Sequence, residues 1–128
     1  MKNVLVITCK VYLAIVALFL GYLGIRWGFT IDERLTSLDM TATTLPAINT
    51  LKSIMATALL GLAICCVFFI RNSKNWYYPL VTMFSVMAVV RIVSLLTDGF
   101  HQRMAIYAFL EVLIVAALIL VHKYEGEK

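Results

Sequence analysis

Four stretches of this chain, 4–25, 48–70, 77–96 and 104–121, are apolar almost throughout and close to twenty residues long. Crossing the ~30 Å hydrocarbon core of a bilayer takes about 20 apolar residues in a helix. A backbone in lipid finds no water to satisfy its polar groups, so stretches of this kind are helices and not open strands. Four crossings within 128 residues leave little chain for anything else. The expected fold is all-α: an antiparallel bundle of four transmembrane helices, one domain over residues 1–128.

Composition argues against a water-soluble alternative. The chain is 62% hydrophobic and 14% charged, with mean hydropathy +0.94, whereas a soluble domain averages about 45–50% apolar and about 25% charged. So short a chain has too little interior to hide that surplus, which must face lipid. The net charge of +4 comes from scattered Lys and Arg residues with no basic stripe. That excludes nucleic acid as a partner and fits membrane orientation and anionic headgroups. The apolar stretch after Lys2 is too long for a signal-peptide core of about 7–15 residues, so it is expected to be a retained span. Cys9, Cys65 and Cys66 all fall within spans, and the absence of C-x-x-C predicts free thiols that behave as small apolar residues.

The links differ in kind. Residues 28–46 form the long one, carrying Asp32, Glu33, Arg34 and Asp39, and 31–40 is expected to make a short amphipathic helix at the interface. Pro46 suits the first turn of the second span. Residues 71–76 and 98–103 are tight links, and Gly99 is expected to supply the left-handed residue that closes the third helix. The face with both termini holds Lys2, Arg71, Lys74, Lys123 and Lys128, against Arg26, Arg34, Lys52 and Arg103 on the other. That bias places both termini in the cytoplasm. Trp27 at one interface, and Trp76, Tyr77, Tyr78 and Tyr124 at the other, read as aromatic belt anchors. Ala14, Ala17, Gly21, Gly24 and Gly28 form a small-residue stripe on the first helix, and Ser53, Thr57, Gly61 and Cys65 form one on the second. Such stripes let helices approach closely in lipid, so the first two helices are expected to pack through them.

Two charges stand out inside the apolar runs. If the third and fourth helices fold back at about residue 101, Arg91 and Glu111 face each other at equal depth. Arg91 would lie roughly 10 Å below the interface at 1.5 Å per residue, where an unpaired charge is costly. The pair reads as a buried salt bridge locking the hairpin, or as a polar pocket that binds something. Alternatively, Arg91 snorkels to the headgroups on its own stem. Ser94 and Asp98 follow Arg91 turn by turn, and Tyr107 precedes Glu111 by one, so these five residues are expected on one surface with His101 and Arg103 at its mouth. A guanidinium suits planar carboxylate recognition, so Arg91 would orient an anionic group while Glu111 holds Arg91. Lys10, on the small-residue face of the first helix, is a further candidate, either snorkelling or linked to Glu111 by a proton path.

Other chemistry is thinly represented. Met83 and Met87 are four apart, but no M-x-x-M or H-x-x-x-H gathers soft ligands, so no metal or cofactor is expected. There is no G-x-S-x-G, glycine-rich phosphate loop, H-E-x-x-H or C-x-x-C.

The stretch Arg91-Ile-Val-Ser-Leu-Leu-Thr-Asp-Gly99, with Glu111 in the next apolar run, resembles a family of small four-helix bacterial inner-membrane proteins defined as a domain of unknown function. That family's pattern is R-x-x-S-x-x-x-D-G closing helix three and a glutamate in helix four. Arg91, Ser94, Asp98, Gly99 and Glu111 carry it, and the likeness is clearest over 77–122. The family tends to have a basic residue and paired glycines early in helix two. Here Lys52 fills the first role and Ala56-Thr57 stands in place of the glycines. A more distant likeness to quinone-associated four-helix proteins of the DoxX type is at the level of fold. The resemblance implies a multi-pass inner-membrane protein and brings no activity with it. The expected function is therefore a non-enzymatic membrane protein, an accessory subunit or a binder of a small anionic or lipid-like ligand. Its partners would be the bilayer and a membrane protein or a second copy. The alternatives are a small proton-coupled transporter and a membrane enzyme, an isomerase or quinone-linked, using Glu111.

Overall fold

The structure, a computed structural model, describes residues 1–38, 40–41 and 44–126. Asp39 and Lys128, counted among the link and terminal charges, lie outside the described residues. In chain order the elements are α1 (Lys2–Phe29), α2 (Ile31–Ser37), α3 (Leu45–Arg71), α4 (Ser73–Thr97) and α5 (Gln102–Gly126). The fold is all-α, with no strand among the described residues. Four of the helices, all but α2, are long and apolar enough to cross a membrane. Each is about 38–42 Å long at 1.5 Å per residue, so the polar ends continue the helix beyond the oil into the headgroup layer. Only 17 to 33% of each span's most apolar window is covered by the protein itself. The remaining apolar surface contacts lipid, and the chain is a multi-pass membrane protein.

The chain forms two compact units, one of Met1–Leu13 with everything from Phe68 onward, the other of Ala14–Val67. In the second unit the glycine stripe of α1 meets α3. A Cβ added at Gly21 or Gly28 would come within 3.9 Å of Ala63 or Ala56. One added at Gly24 would lie 2.7 Å from Leu60 Cγ and 3.1 Å from the Leu60 backbone nitrogen. The α3 surface differs from the one expected. Ser53 and Thr57 are exposed, a Cβ at Gly61 would meet nothing within 4 Å, and the contact falls on Ala56, Leu60 and Ala63. A hole on one helix needs a knob on the other, and Leu60 fills the hole that Gly24 leaves. Gly24→Ala should therefore destabilise the protein by about 1–3 kcal/mol, the usual cost of overpacking. Gly61→Ala should cost nothing measurable. Thermal unfolding of the two variants in detergent, followed by circular dichroism, checks the contrast.

The short helix α2 is amphipathic, as expected of this link. Ile31 and Leu35, one turn apart, are buried, whereas Asp32, Glu33, Thr36 and Ser37 are exposed. With Trp27 they form a core against which Leu38, Ile48, Leu51, Met55, Ala56 and Leu59 pack. Trp27 is only 2% exposed, so it is not the interfacial belt residue its place at the end of a span suggested. The chain folds back through α2 and covers the indole, and the Arg34 guanidinium lies 5.9 Å above the ring. Arg26 fixes the start of this turn. Its Nε donates to Thr30 Oγ1 at 3.0 Å, its Nη1 to Tyr22 OH at 2.9 Å, and its Nη2 pairs with Glu33.

In the first unit α4 and α5 form an antiparallel hairpin. Leu80, Phe84 and Ala88 of α4, and Ala108, Ile114, Ala117, Leu118 and Val121 of α5, are buried at helical spacing. Gly99 has φ +111°, which a side chain would strain, and the Asp98 N–H closes α4 on the Ser94 carbonyl at 2.8 Å. The other link is shorter than its polar residues suggested. Only Asn72 separates α3 from α4, whose helix begins at Ser73 and carries Pro79 inside it. Phe68 of α3 stacks on Trp76 of α4 at 5.0 Å, which holds this corner together.

Candidate functional site

The hairpin's register brings Arg91 and Glu111 together. Arg91 lies nearly two turns before the end of α4, and the tight link with Gly99 returns α5 along the same depth. The Arg91 Nε donates to Glu111 Oε1 at 3.0 Å and the Nη2 donates to the same oxygen at 2.8 Å. Nη1 donates to the Met104 sulfur at 3.5 Å. The guanidinium carbon lies 5.7 Å from the centre of the Tyr107 ring. Met104, Tyr107 and Glu111 recur at spacings of three and four, so one stripe of α5 surrounds the arginine. In an apolar span the two charges hold each other, and a hydrogen bond between ionised groups is stronger than a neutral one.

The pair is asymmetric in two ways. The Glu111 side chain is 9% exposed and that of Arg91 is 29% exposed, so the carboxylate is the deeper partner. Both donors use one carboxylate oxygen, and the other, Oε2, is buried with no hydrogen-bond partner. This is a bifurcated contact and not the parallel fork of a bidentate arginine–carboxylate pair. A guanidinium has five N–H donors. Glu111 and Met104 engage three of them, one of these through a thioether that is a weak acceptor.

The remaining candidates fall elsewhere. The Ser94 hydroxyl donates to Asp98 Oδ2 at 2.7 Å, and Thr97 Oγ1 lies 3.3 Å from Asp98 Oδ1. Ser94 and Asp98 thus form a separate exposed pair at the end of α4, on the link side of Arg91. The local i, i+4 bond satisfies both groups without the arginine. His101 is exposed in the link, where its carbonyl accepts from the Ala105 N–H at 3.0 Å. Lys10 pairs with Glu125. Glu125 is fourteen residues along α5 from Glu111, about 21 Å at 1.5 Å per residue, so Lys10 turns toward the termini and away from the arginine.

Two neighbours of the pair were not picked out from the sequence. Met104 is two turns before Glu111, a spacing that already places it on the same face. Tyr12 of α1 donates its hydroxyl to the carbonyl of Leu110, next to Glu111, at 3.4 Å. A mid-span tyrosine needs a partner for its hydroxyl in lipid, which is the signal that would have flagged it. Further aromatic and charged contacts lie along the same end of α5 as Glu125. Tyr77 stacks on His122 at 3.8 Å with the rings 6° apart, and the Lys2 ammonium lies 5.7 Å from the centre of the Tyr124 ring. His122 Nδ1 is buried without a hydrogen-bond partner. Cys9, Cys65 and Cys66 are free thiols. Among the described residues no three His, Cys, Asp or Glu side chains converge as a metal site.

Comparison of the chain with protein-family models, with curated proteins and with solved structures finds no match.

Proposed function

We propose that this chain is a non-enzymatic protein of the bacterial inner membrane that binds a small anionic or lipid-like ligand at Arg91, alone or as an accessory subunit of a larger membrane complex. One observation carries this reading: the guanidinium is held by a single oxygen of Glu111 and leans on the Met104 sulfur, with its remaining donors on a side chain 29% exposed. A carboxylate or phosphate oxygen is a far better acceptor than a thioether, so such a group displaces Met104. Glu111 keeps the arginine oriented, and Tyr107 flanks it. The R-x-x-S-x-x-x-D-G resemblance supports the inner-membrane assignment. The exposed Arg71, Lys74 and Lys123 at the end that holds the termini support a cytoplasmic placement of both.

Native mass spectrometry of the detergent-solubilised protein tests this. The expected result is a bound small molecule, lipid or partner chain that survives Ser94→Ala and is lost in Arg91→Gln. A wild-type protein that ejects nothing, or a bound species indifferent to Arg91→Gln, removes the proposal.

A second reading, a small proton-coupled transporter, is favoured by the unpartnered Glu111 Oε2, a buried acceptor that a proton or a proton-bearing substrate would satisfy. In liposomes carrying a pH gradient it requires wild-type flux that Glu111→Gln abolishes while helicity is kept. Wild-type liposomes without gradient-driven flux exclude it.

A further inference from the structure

The end of the first unit opposite the Arg91 pair carries a concentration of positive charge that takes no part in binding at Arg91 or in proton coupling at Glu111. Four contacts assemble it. Tyr77 stacks on His122, Lys2 lies over Tyr124, Lys10 pairs with Glu125, and Phe68 stacks on Trp76. They bring the start of α1, the α3–α4 corner and the end of α5 to one level. Lys2, Arg71, Lys74 and Lys123 are all exposed there. Glu125, at the same level, pairs with Lys10. Tyr78, 69% exposed, and the half-buried Trp76 and Tyr124 stand among the cations. Amphipathic rings of this kind settle at headgroup depth, so the ammonium and guanidinium groups beside them lie in the plane of the lipid phosphates.

We infer that this end of the protein is a binding surface for anionic phospholipid headgroups, formed by Lys2, Arg71, Lys74 and Lys123 with Trp76, Tyr78 and Tyr124 as the depth-setting frame. The Arg91 pair faces the opposite end of the hairpin, so the surface stands or falls independently of the function proposed above. A soluble acidic protein would also be drawn to the charges. The interleaved aromatic rings favour lipid, because they need an interface that is apolar on one side and wet on the other. Near a charged leaflet each basic residue contributes about fivefold in preference for anionic over neutral lipid.

Trp76 provides the readout. With Trp27→Phe as background, quenching of Trp76 by brominated phosphatidylglycerol should show a relative binding constant at least about fivefold above that for brominated phosphatidylcholine. The double change Arg71→Gln, Lys74→Gln should lower the ratio at least about fivefold, and Arg103→Gln, at the other end, should leave it unchanged. Because Trp27 is a core residue, the unaltered chain in mixed nanodiscs gives a second measurement: the lipids ejected with it should be enriched in phosphatidylglycerol, and the Arg71, Lys74 double variant should show a clearly smaller enrichment. Equal quenching by both lipids, no enrichment in the nanodiscs, or a preference that the double change leaves undiminished each overturns the inference.

Discussion

Arg91→Leu is expected to destabilise this protein by about 3–5 kcal/mol, the cost of leaving a buried charge without its partner. Glu111→Leu is expected to cost clearly less. The difference comes from depth. Arg91→Leu strands a carboxylate whose side chain is 9% exposed, with one oxygen already unsatisfied, whereas Glu111→Leu leaves an arginine that is 29% exposed and can carry its head toward the interface on its own stem. The double variant should recover much of the loss, because apolar side chains of similar volume in place of a buried ion pair are often neutral or better. Thermal or denaturant unfolding of the three variants in one detergent gives the cycle. A coupling energy above about 1 kcal/mol identifies the pair as a real energetic unit. Additive losses would mean that packing alone holds the hairpin and that the ion pair could be exchanged freely.

The cycle also separates structure from function. If the pair only locks the hairpin, the double leucine variant regains whatever the protein does along with its stability. If Arg91 receives a ligand, the double variant is stable and inactive. The contacts leave room for either outcome: two donors share one oxygen, a third falls on sulfur, and Oε2 is left over.

The hairpin contact was legible in the sequence because few variables set it. Two regular helices joined by a tight link with Asp98-Gly99 have one register, and that register pairs 91 with 111. The surrounding cluster was harder to read. Ser94 and Asp98 lie on the arginine's side of α4, but their mutual i, i+4 bond satisfies both, and periodicity alone does not rank a local partner against a distant one. Met104 was visible by spacing and overlooked by chemistry, since a thioether seldom matters as an acceptor. Lys10 found Glu125 because the placement of α1 beside α5 is a long-range fact that no local pattern encodes. The small-residue stripe of α1 named its own interface correctly. It did not name its partner surface, because a glycine hole is filled by a large residue, and α3 supplies Leu60 where its own small stripe was expected to face α1.

Trp27 shows the same limit with a larger energy at stake. A tryptophan at the end of a span ordinarily sits in the headgroup belt, where truncation costs little. Here α2 turns back, and Trp27 forms a core with Ile31 and Leu35 against which Leu51, Met55 and Leu59 pack, leaving the indole 2% exposed. Trp27→Ala is therefore expected to cost about 3–5 kcal/mol, the range for removing a large buried aromatic residue, with Trp27→Phe losing less because the ring still fills part of the space. The loss should be local in origin. The seven residues of α2 are too few to form a helix alone in water, so without the indole to cover, Ile31 and Leu35 lose their reason to be folded down. Hydrogen exchange of the Ile31–Ser37 amides should rise in the alanine variant well before α4 and α5 are affected, because those helices are anchored by a separate core. If Trp27→Ala instead unfolds within about 0.5 kcal/mol of the wild type, as surface substitutions do, the indole faces lipid after all. The strap would then be held by the Arg26 network with Tyr22, Thr30 and Glu33.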